Sequence, residues 1–447
     1  MTGQAGKRAN LVSGLRARHK ARRDAPSTAV RPAGANARVR AHDFSDMPDL
    51  KNLRMMETAA ETFGLKTPFF RCHDGLPEAE QQINGAKAIN FASYNYLGLN
   101  GDPRLAEAAK AAVDRWGVSP AASRVVGGER PYHRALEEKI AALYGVEDAL
   151  VMVSGHATNV TTVGALMGPE DLVCLDALSH NSVVEGGRLS GAQRLNFPHN
   201  DIDWLDQHLA RARHRYRHVL IAVEGLYSMD GDSPDLARLI EVKARHDAWL
   251  MVDEAHGLGV LGATGRGLAE AQGVDPEAVE IWMGTLSKTL GSCGGYIAGS
   301  KSLIEFLKYK APGFVYSVGL AAPLAATASA AIDVMLAEPE RVERLQRNGR
   351  LFREAVCEAG LDPGLSEGLA VTPVIIGDSM KSVALSHMLI EAGVNALPII
   401  HPAVPEQAAR LRFFITSEHR PDQLTLAAKE TARLLADIEV LAAQLLG

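Results

Sequence analysis

The sequence predicts an α/β protein: a mostly parallel central sheet with helices on both faces, followed by a small α+β C-terminal domain. Two observations carry this. From about residue 118 to 310, short β-branched or apolar runs alternate with helical segments, the pattern of a parallel sheet joined by crossover helices. After about residue 311 the order changes to long helices followed by isolated strands.

The chain of 447 residues is 47% apolar and 22% charged, enough for a large core in two or three domains. Its net charge of −6 is unevenly spread. Residues 1–40 hold ten Lys or Arg and one acid, a balance of +9, and the rest carries −15. An acidic body argues against a nucleic-acid partner. Cys72, Cys174, Cys293 and Cys357 are scattered without a C-x-x-C pair, which reads as free thiols in a reducing, cytoplasmic compartment. No apolar run approaches the ~18 residues that read as a membrane span, and residues 1–46 lack a signal-peptide core. Those residues, rich in Arg, Ala, Gly and Pro, read as a basic disordered tail.

Residues 47–117 are expected to hold a helix (50–63), a short strand (69–72), and a strand beginning at Ile89 that ends in a tight turn near Gly98. Asp102-Pro103 then opens a helix, with Asp as N-cap and Pro at the first helical position. Residues 118–310 form the large domain, with strands at 149–153, 172–175, 219–223, 249–252, 281–283 and 296–298. Between them lie helices such as 203–211 and 236–246. Residues 311–447 supply helices at 320–336 and from Pro339 to about 359. Beyond those come a strand at 370–376, a helix at 382–392, a strand at 412–416 and a final helix from Asp422.

In sheets of this kind ligands sit at the carboxyl ends of the strands, and five strands deliver polar residues there. Ser154-Gly155-His156 follow the first. Asp176, Ser179 and His180 follow the second, and Glu224, Tyr227 and Ser228 the third. Asp253 and His256 follow the fourth; Thr285, Ser287 and Lys288 follow the fifth. Five such ends make one site the economical reading. Lys288 stands in Gly284-Thr285-Leu286-Ser287-Lys288-Thr289-Leu290-Gly291, a setting of small residues and hydroxyls. That suits an amine that must reach a carbonyl and form a Schiff base beside an anionic cofactor. The turn at Ser154-Gly155 into a helix suits a phosphate. Asp253 closes an apolar run, where a lone carboxylate is costly to bury; beneath a protonated pyridine nitrogen it would be satisfied. Asp253-Glu254-Ala255-His256 taken alone also reads as a helicase-like box, but the chain has no Walker A sequence. Arg410 and Arg412 flank Leu411 in an extended stretch, so the two arginines should point one way and Leu411 the other.

Together these motifs resemble the α-oxoamine synthases, pyridoxal-phosphate enzymes of aminotransferase fold type I. The resemblance runs from about residue 50 to 440. It rests on Ser93-Tyr94-Asn95-Tyr96-Leu97-Gly98, Ser123-Arg124-Val125-Val126-Gly127-Gly128, Ser154-Gly155 and Leu178-Ser179-His180. It continues through Glu224–Asp232, Asp253-Glu254-Ala255-His256-Gly257, Gly284–Lys288, Pro402-Ala403-Val404-Pro405 and Arg410-Leu411-Arg412.

The resemblance implies pyridoxal 5'-phosphate as cofactor and no metal. Lys288 would tether it and act as general acid and base. His180 would stack on the ring, Asp253 pair with the ring nitrogen and His256 with the phenolic oxygen. Ser154, Gly155, His156, Ser228, Thr285 and Ser287 would complete the cofactor site, and Asn95 and Arg412 would meet substrate. The implied reaction joins a small amino acid, serine or alanine, to an acyl thioester of coenzyme A or a carrier protein, with loss of carbon dioxide. A homodimer with shared active sites is implied too. The turns Ser-Tyr-Asn-Tyr-Leu-Gly and Thr-Leu-Ser-Lys look most like serine palmitoyltransferase and carrier-protein-dependent synthases. An aminotransferase of the same fold, or a non-catalytic partner subunit, remain alternatives. One departure stands out: where relatives place a hydroxyl for the neighbouring subunit's phosphate, this chain reads Tyr316-Ser317-Val318-Gly319.

Overall fold

The structure, a computed structural model, describes residues 44–62 and 66–446. All of the basic tail except Phe44–Asp46 lies outside the described residues. The chain divides into two compact units between residues 64 and 65. The first holds the helix Pro48–Thr62, with Asp49 in its first turn, where a carboxylate complements the helix dipole.

The second unit opens with β1 (His73–Asp74), β2 (Glu80–Ile83) and β3 (Ala86–Asn90). Asn84 and Gly85 join β2 to β3 with φ of 50° and 82°. A two-residue hairpin turn with both φ positive matches the twist of its strands. The strand expected at 69–72 does not form. Phe70 there has φ 58° and is fully exposed, a backbone state that a strand excludes. The helix Pro103–Trp116 begins as its sequence predicts: the Asp102 carboxylate accepts from the Arg104 N–H, and Pro103 occupies the first turn.

The central sheet has seven strands: β4 (Asp148–Met152), β5 (Leu172–Asp176), β6 (Gln193–Phe197), β7 (Val219–Glu224), β8 (Trp249–Asp253), β9 (Ile281–Thr285) and β10 (Gly295–Gly299). Their spatial order is β4-β10-β9-β8-β7-β5-β6. β10 runs antiparallel to both of its neighbours, β4 and β9; the pairings β5–β6, β5–β7, β7–β8 and β8–β9 are parallel. Alternate residues face opposite sides of a sheet, and the core divides accordingly. Ala149, Val151, Cys174, Ile221, Val223, Leu250, Val252 and Trp282 pack on one face. Leu150, Met152, Val173, Leu175, Leu220, Ala222, Met251 and Met283 pack on the other. Each Val, Leu, Ile or Met side chain among them, removed from water, stabilises the fold by roughly 1.5–3 kcal/mol.

The remaining strands are β11 (Val371–Ile375), β12 (Val394–Asn395), β13 (Leu397–Ile399) and β14 (Arg410–Phe414). They follow the helices Ala322–Ala337 and Glu340–Glu358, and a last helix spans Pro421–Leu446. β11, β14 and β13 form one antiparallel sheet. β12 instead pairs in parallel with β3, so the segment before the central sheet and the segment after it share a sheet.

Candidate active site

β4, β5, β7, β8 and β9 run the same way, so the polar residues after them gather at one end of the sheet. Lys288 lines a cavity of about 370 Å³ there with Tyr94, Asn95, Ser287 and Gly291. A larger cavity, about 880 Å³, lies at the opposite end of the sheet beside Val146, His218, Trp249 and Ile281. None of the five polar clusters reaches it, so its size does not make it the site.

At the mouth of β4, the Ser154 hydroxyl accepts from the Ala157 N–H at 3.3 Å and caps the helix Gly155–Leu166. The first N–H groups of a helix have no carbonyl behind them to bond. Gly155 also lies against β9: a Cβ there would stand 2.8 Å from Thr285 Oγ1. Thr285 Oγ1 and Ser287 Oγ are 3.1 Å apart. One helix N-terminus and two hydroxyls therefore converge, an arrangement that suits a phosphate.

Asp253, buried at the end of β8, accepts from Asn159 Nδ2 at 2.8 Å and from the Ala255 N–H at 2.9 Å. Asn159 Nδ2 also donates to Ser182 Oγ at 2.9 Å, and Ser182 Oγ lies 2.7 Å from His180 Nδ1. The Ser182 N–H points at the same nitrogen at 3.3 Å. His180 Nδ1 is thus an acceptor, and a neutral ring carries its proton on Nε2. This Asp253–Asn159–Ser182–His180 chain locks the His180 ring above the end of the sheet. Asn159 and Ser182 were not among the sequence candidates. Neither stands out locally: Asn159 shares its helix with the buried Thr158, Thr161 and Thr162, and Ser182 shares its helix with the buried Val183, Gly186 and Gly187.

His256 is buried, with Nδ1 2.7 Å from the Tyr96 hydroxyl. Ser228 donates its N–H to the Glu224 carboxylate at 3.0 Å and offers its carbonyl to Arg412 Nη1 at 2.9 Å. Arg410 bonds the Met229 carbonyl and Asp230, while Leu411 is fully buried. Both arginines therefore point toward one turn, as their spacing predicts. Arg412 Nε is buried without a hydrogen-bond partner among the described residues. Asn95 lines the cavity, but its amide is engaged at both ends, by the Asn100 N–H and the Pro77 carbonyl, each at 3.0 Å. His156 stands 6.3 Å from His180, ring to ring, edge to face.

Burial pulls the Lys288 amine down to about 8, against the attraction of Asp253 and Glu224, with Arg412 adding to the fall. Burial also pushes the Glu224 carboxyl up to about 8, reinforced by Asp253, its direct neighbour across the β7–β8 pairing. Burial holds His256 far below its usual value, with Lys288, Arg412 and His180 adding to the effect. His180 is lowered by burial more than Asp253 raises it. The surroundings shift these groups toward their uncharged forms, so Lys288 releases its free, nucleophilic amine above about pH 8 rather than above 10.5.

The donor set fits pyridoxal 5'-phosphate. Asp253 has only neutral hydrogen-bond partners among the described residues, the phosphate-type cradle lies on neighbouring strands, and the Lys288 amine is close enough to feel the charge of Asp253. Glu224 Oε1, Ser179 Oγ and Arg412 Nε are buried polar atoms left without partners, as atoms reserved for a bound group would be.

Comparison with known proteins agrees. The family model for class I and II aminotransferases matches residues 86–430. The 8-amino-7-oxononanoate synthase of Geobacter metallireducens is 43% identical over 348 residues, covering 77% of this chain and 88% of its own. The serine palmitoyltransferase of Sphingobacterium spiritivorum is 34% identical over 372 residues, covering 83% and 92%. A solved structure described as SPT with PLP internal aldimine has a TM-score of 0.83 at 28% identity, covering 88% of this chain and 99% of that one. Among the described residues no helix is long and apolar enough to cross a membrane. The chain belongs to the class I and II aminotransferase family and, within it, to the α-oxoamine synthases, the C-acyltransferases that depend on pyridoxal 5'-phosphate.

Proposed function

We propose that this protein condenses serine or alanine with an acyl thioester of coenzyme A or a carrier protein, releasing carbon dioxide and the free thiol and yielding an α-amino ketone. The observation that carries this reading is the half-buried Lys288 amine, lowered toward neutrality and in electrostatic reach of Asp253, Glu224 and His180. The bond between the amino acid α-carbon and the acyl carbon forms, the acyl C–S bond breaks, and the carboxyl carbon leaves as carbon dioxide. The cofactor supplies an electron sink for the carbanion at the α-carbon.

Each residue has a task that its setting supports. Lys288 tethers the cofactor and moves the α-proton. His180, fixed through Ser182, would stack over the ring. Asp253 balances the ring's protonated nitrogen. With the Tyr96 hydroxyl donating to His256 Nδ1, a neutral His256 would carry its proton on Nε2 and could offer it to the phenolic oxygen. Ser154, Gly155 and His156 at the helix N-terminus, with Thr285 and Ser287, hold the phosphate, and Ser228 completes the wall. Arg412 binds the amino acid carboxylate, for which its partnerless Nε is reserved. Asn95 shapes the cavity beside Lys288. The working unit is a homodimer with shared sites. Exposed Val125, Val126, Tyr316 and Val318 support an interface on the face carrying Gly319, next to the Ser123–Val318 bridge.

The test is a panel of glycine, alanine and serine against coenzyme A and carrier-protein thioesters of graded chain length, read by thiol and carbon dioxide release. Serine or alanine should give both products, and Lys288→Ala should give neither while keeping the fold. A keto acid without thiol release, or an active Lys288→Ala protein, overturns the reading.

A further inference from the structure

Two loops of the site meet on one imidazole that takes no part in the chemistry above. His199 follows β6 in the run Phe197-Pro198-His199-Asn200-Asp201. Its Nδ1 lies 2.8 Å from Asp176 Oδ1 and its Nε2 lies 2.9 Å from Asp232 Oδ2. A neutral imidazole has one donor; here both nitrogens face carboxylates, so both carry protons. Burial opposes that state, but the two aspartates outweigh it and raise His199 to about 10. Asn200 repeats the link, with its N–H to Asp176 Oδ2 and its Nδ2 to Asp232 Oδ2, each at 2.8 Å. The other titratable groups facing this cluster are Tyr227, edge-on to the His199 ring at 4.5 Å, and Glu367, bonded to the Ser233 N–H beyond Asp232.

Each aspartate anchors a different part of the site. Asp176 launches the loop that ends in His180: its carboxylate accepts from the Leu178 N–H at 2.8 Å and its carbonyl from the Ser179 N–H at 3.0 Å. Asp232 closes the turn that Arg412 and Arg410 grip: its carbonyl accepts from the Tyr227 N–H at 2.8 Å. A Cβ on Gly231, inside that turn, would collide with the Val371 carbonyl. The turn is thus wedged against β11 on one side and pinned by His199 on the other.

We propose that His199 is a positioning residue, a doubly protonated clamp between Asp176 and Asp232 that sets the spacing between the His180 loop and the Arg412-gripped turn, and with it the affinity for the amino acid substrate. The inference rests on the reading of the substrate given above. Misplacing binding groups by about 1 Å can cost on the order of 10²-fold, and a loss confined to one substrate appears in its KM rather than in kcat.

The experiment measures His199→Gln and Asp232→Asn holoenzymes for both substrates, with amino acid dissociation constants from the cofactor's absorbance. The KM and dissociation constant for the amino acid should rise ~10-fold or more, with kcat and the thioester KM within ~3-fold. Unchanged amino acid affinity, or an equal loss for both substrates, overturns the proposal. If the His199 variant does not fold, Asp232→Asn decides. The ¹⁵N shifts of the wild-type His199 ring at pH 8.5 decide as well: both nitrogens protonated is the expected state, and a neutral ring refutes the clamp. A wild-type protein that condenses no amino acid with any thioester refutes the proposed reaction instead, and the ring measurement separates the two failures.

Discussion

Replacing Lys288 by methionine should make the apoprotein more stable. The lysine amine sits at about 8 in the folded chamber against an ordinary 10.5, and each tenfold of that gap is worth about 1.4 kcal/mol. The folded pKa lies below the unfolded one. Below pH 8 both states hold the proton, and the folded state bears the full cost of a buried charge. Between pH 8 and 10.5 the folded lysine has shed its proton while the unfolded one keeps it, so the cost fades. Methionine has similar length and no charge, and volume-conserving exchanges disturb a packed site little. Lys288→Met should therefore gain about 3 kcal/mol at pH 7, about 2 kcal/mol at pH 9 and less than about 1 kcal/mol at pH 10. Urea unfolding of both apoproteins at one protomer concentration, at those three pH values, reads this directly. Removing the cofactor and fixing the concentration matter because a ligand or subunit that binds only the folded form adds its own stabilisation. A variant no more stable than wild type at pH 7, or a gain equal at pH 7 and pH 10, refutes the buried-amine argument.

Tyr96→Phe removes the only side chain bonded to His256 Nδ1 among the described residues. It should cost about 1–3 kcal/mol and weaken cofactor affinity, measured by thermal unfolding and by titration with pyridoxal 5'-phosphate. Gly319→Ser should not supply a missing hydroxyl but overpack the fold. Its Cβ would stand 3.0 Å from His133 Cε1 and 3.1 Å from Arg124 Cγ, both on side chains held by further bonds. A loss of about 1–3 kcal/mol in urea unfolding is expected, and a serine accepted without loss would show that this face yields.

Sequence reading could single out candidate residues wherever they stand at the end of a buried strand. Ser154-Gly155, Asp253 with His256, and Thr285 to Lys288 each stand at the carboxyl end of a strand that is buried throughout or at all but its first residue, so strand and polar end announce each other. It failed where a strand is neither apolar nor long. Gln193–Phe197 is an edge strand with mostly exposed residues, so it lacks the buried-strand signature, and Val394–Asn395 has two residues. It also could not see partners joined across the chain. Tyr96 and His256 are 160 residues apart, and His199 gathers Asp176 and Asp232 from separate loops. Such contacts depend on the packed sheet, which no local pattern encodes.

A shifted pKa alone would not have found this site. Glu224 and Glu254 are both fully buried on neighbouring stretches, and burial pushes both carboxyls up to about 8. Their surroundings differ. Glu254 Oε1 accepts from the Leu268 N–H, and a Cβ at Gly225, Gly257 or Gly267 would run into its carboxyl. That carboxyl fills a pocket made of backbone and fixes the loop that carries Asp253 and His256. Both carboxyls feel Asp253 and each leaves one oxygen without a partner among the described residues, but only Glu224 also senses Lys288. Perturbed groups mark functional sites only as a matter of odds. What separates these two is whether the unsatisfied atom shares a chamber with other reactive groups or is enclosed by glycines. By that criterion Glu224 belongs to the site with Lys288, and Glu254 belongs to the scaffold that holds it.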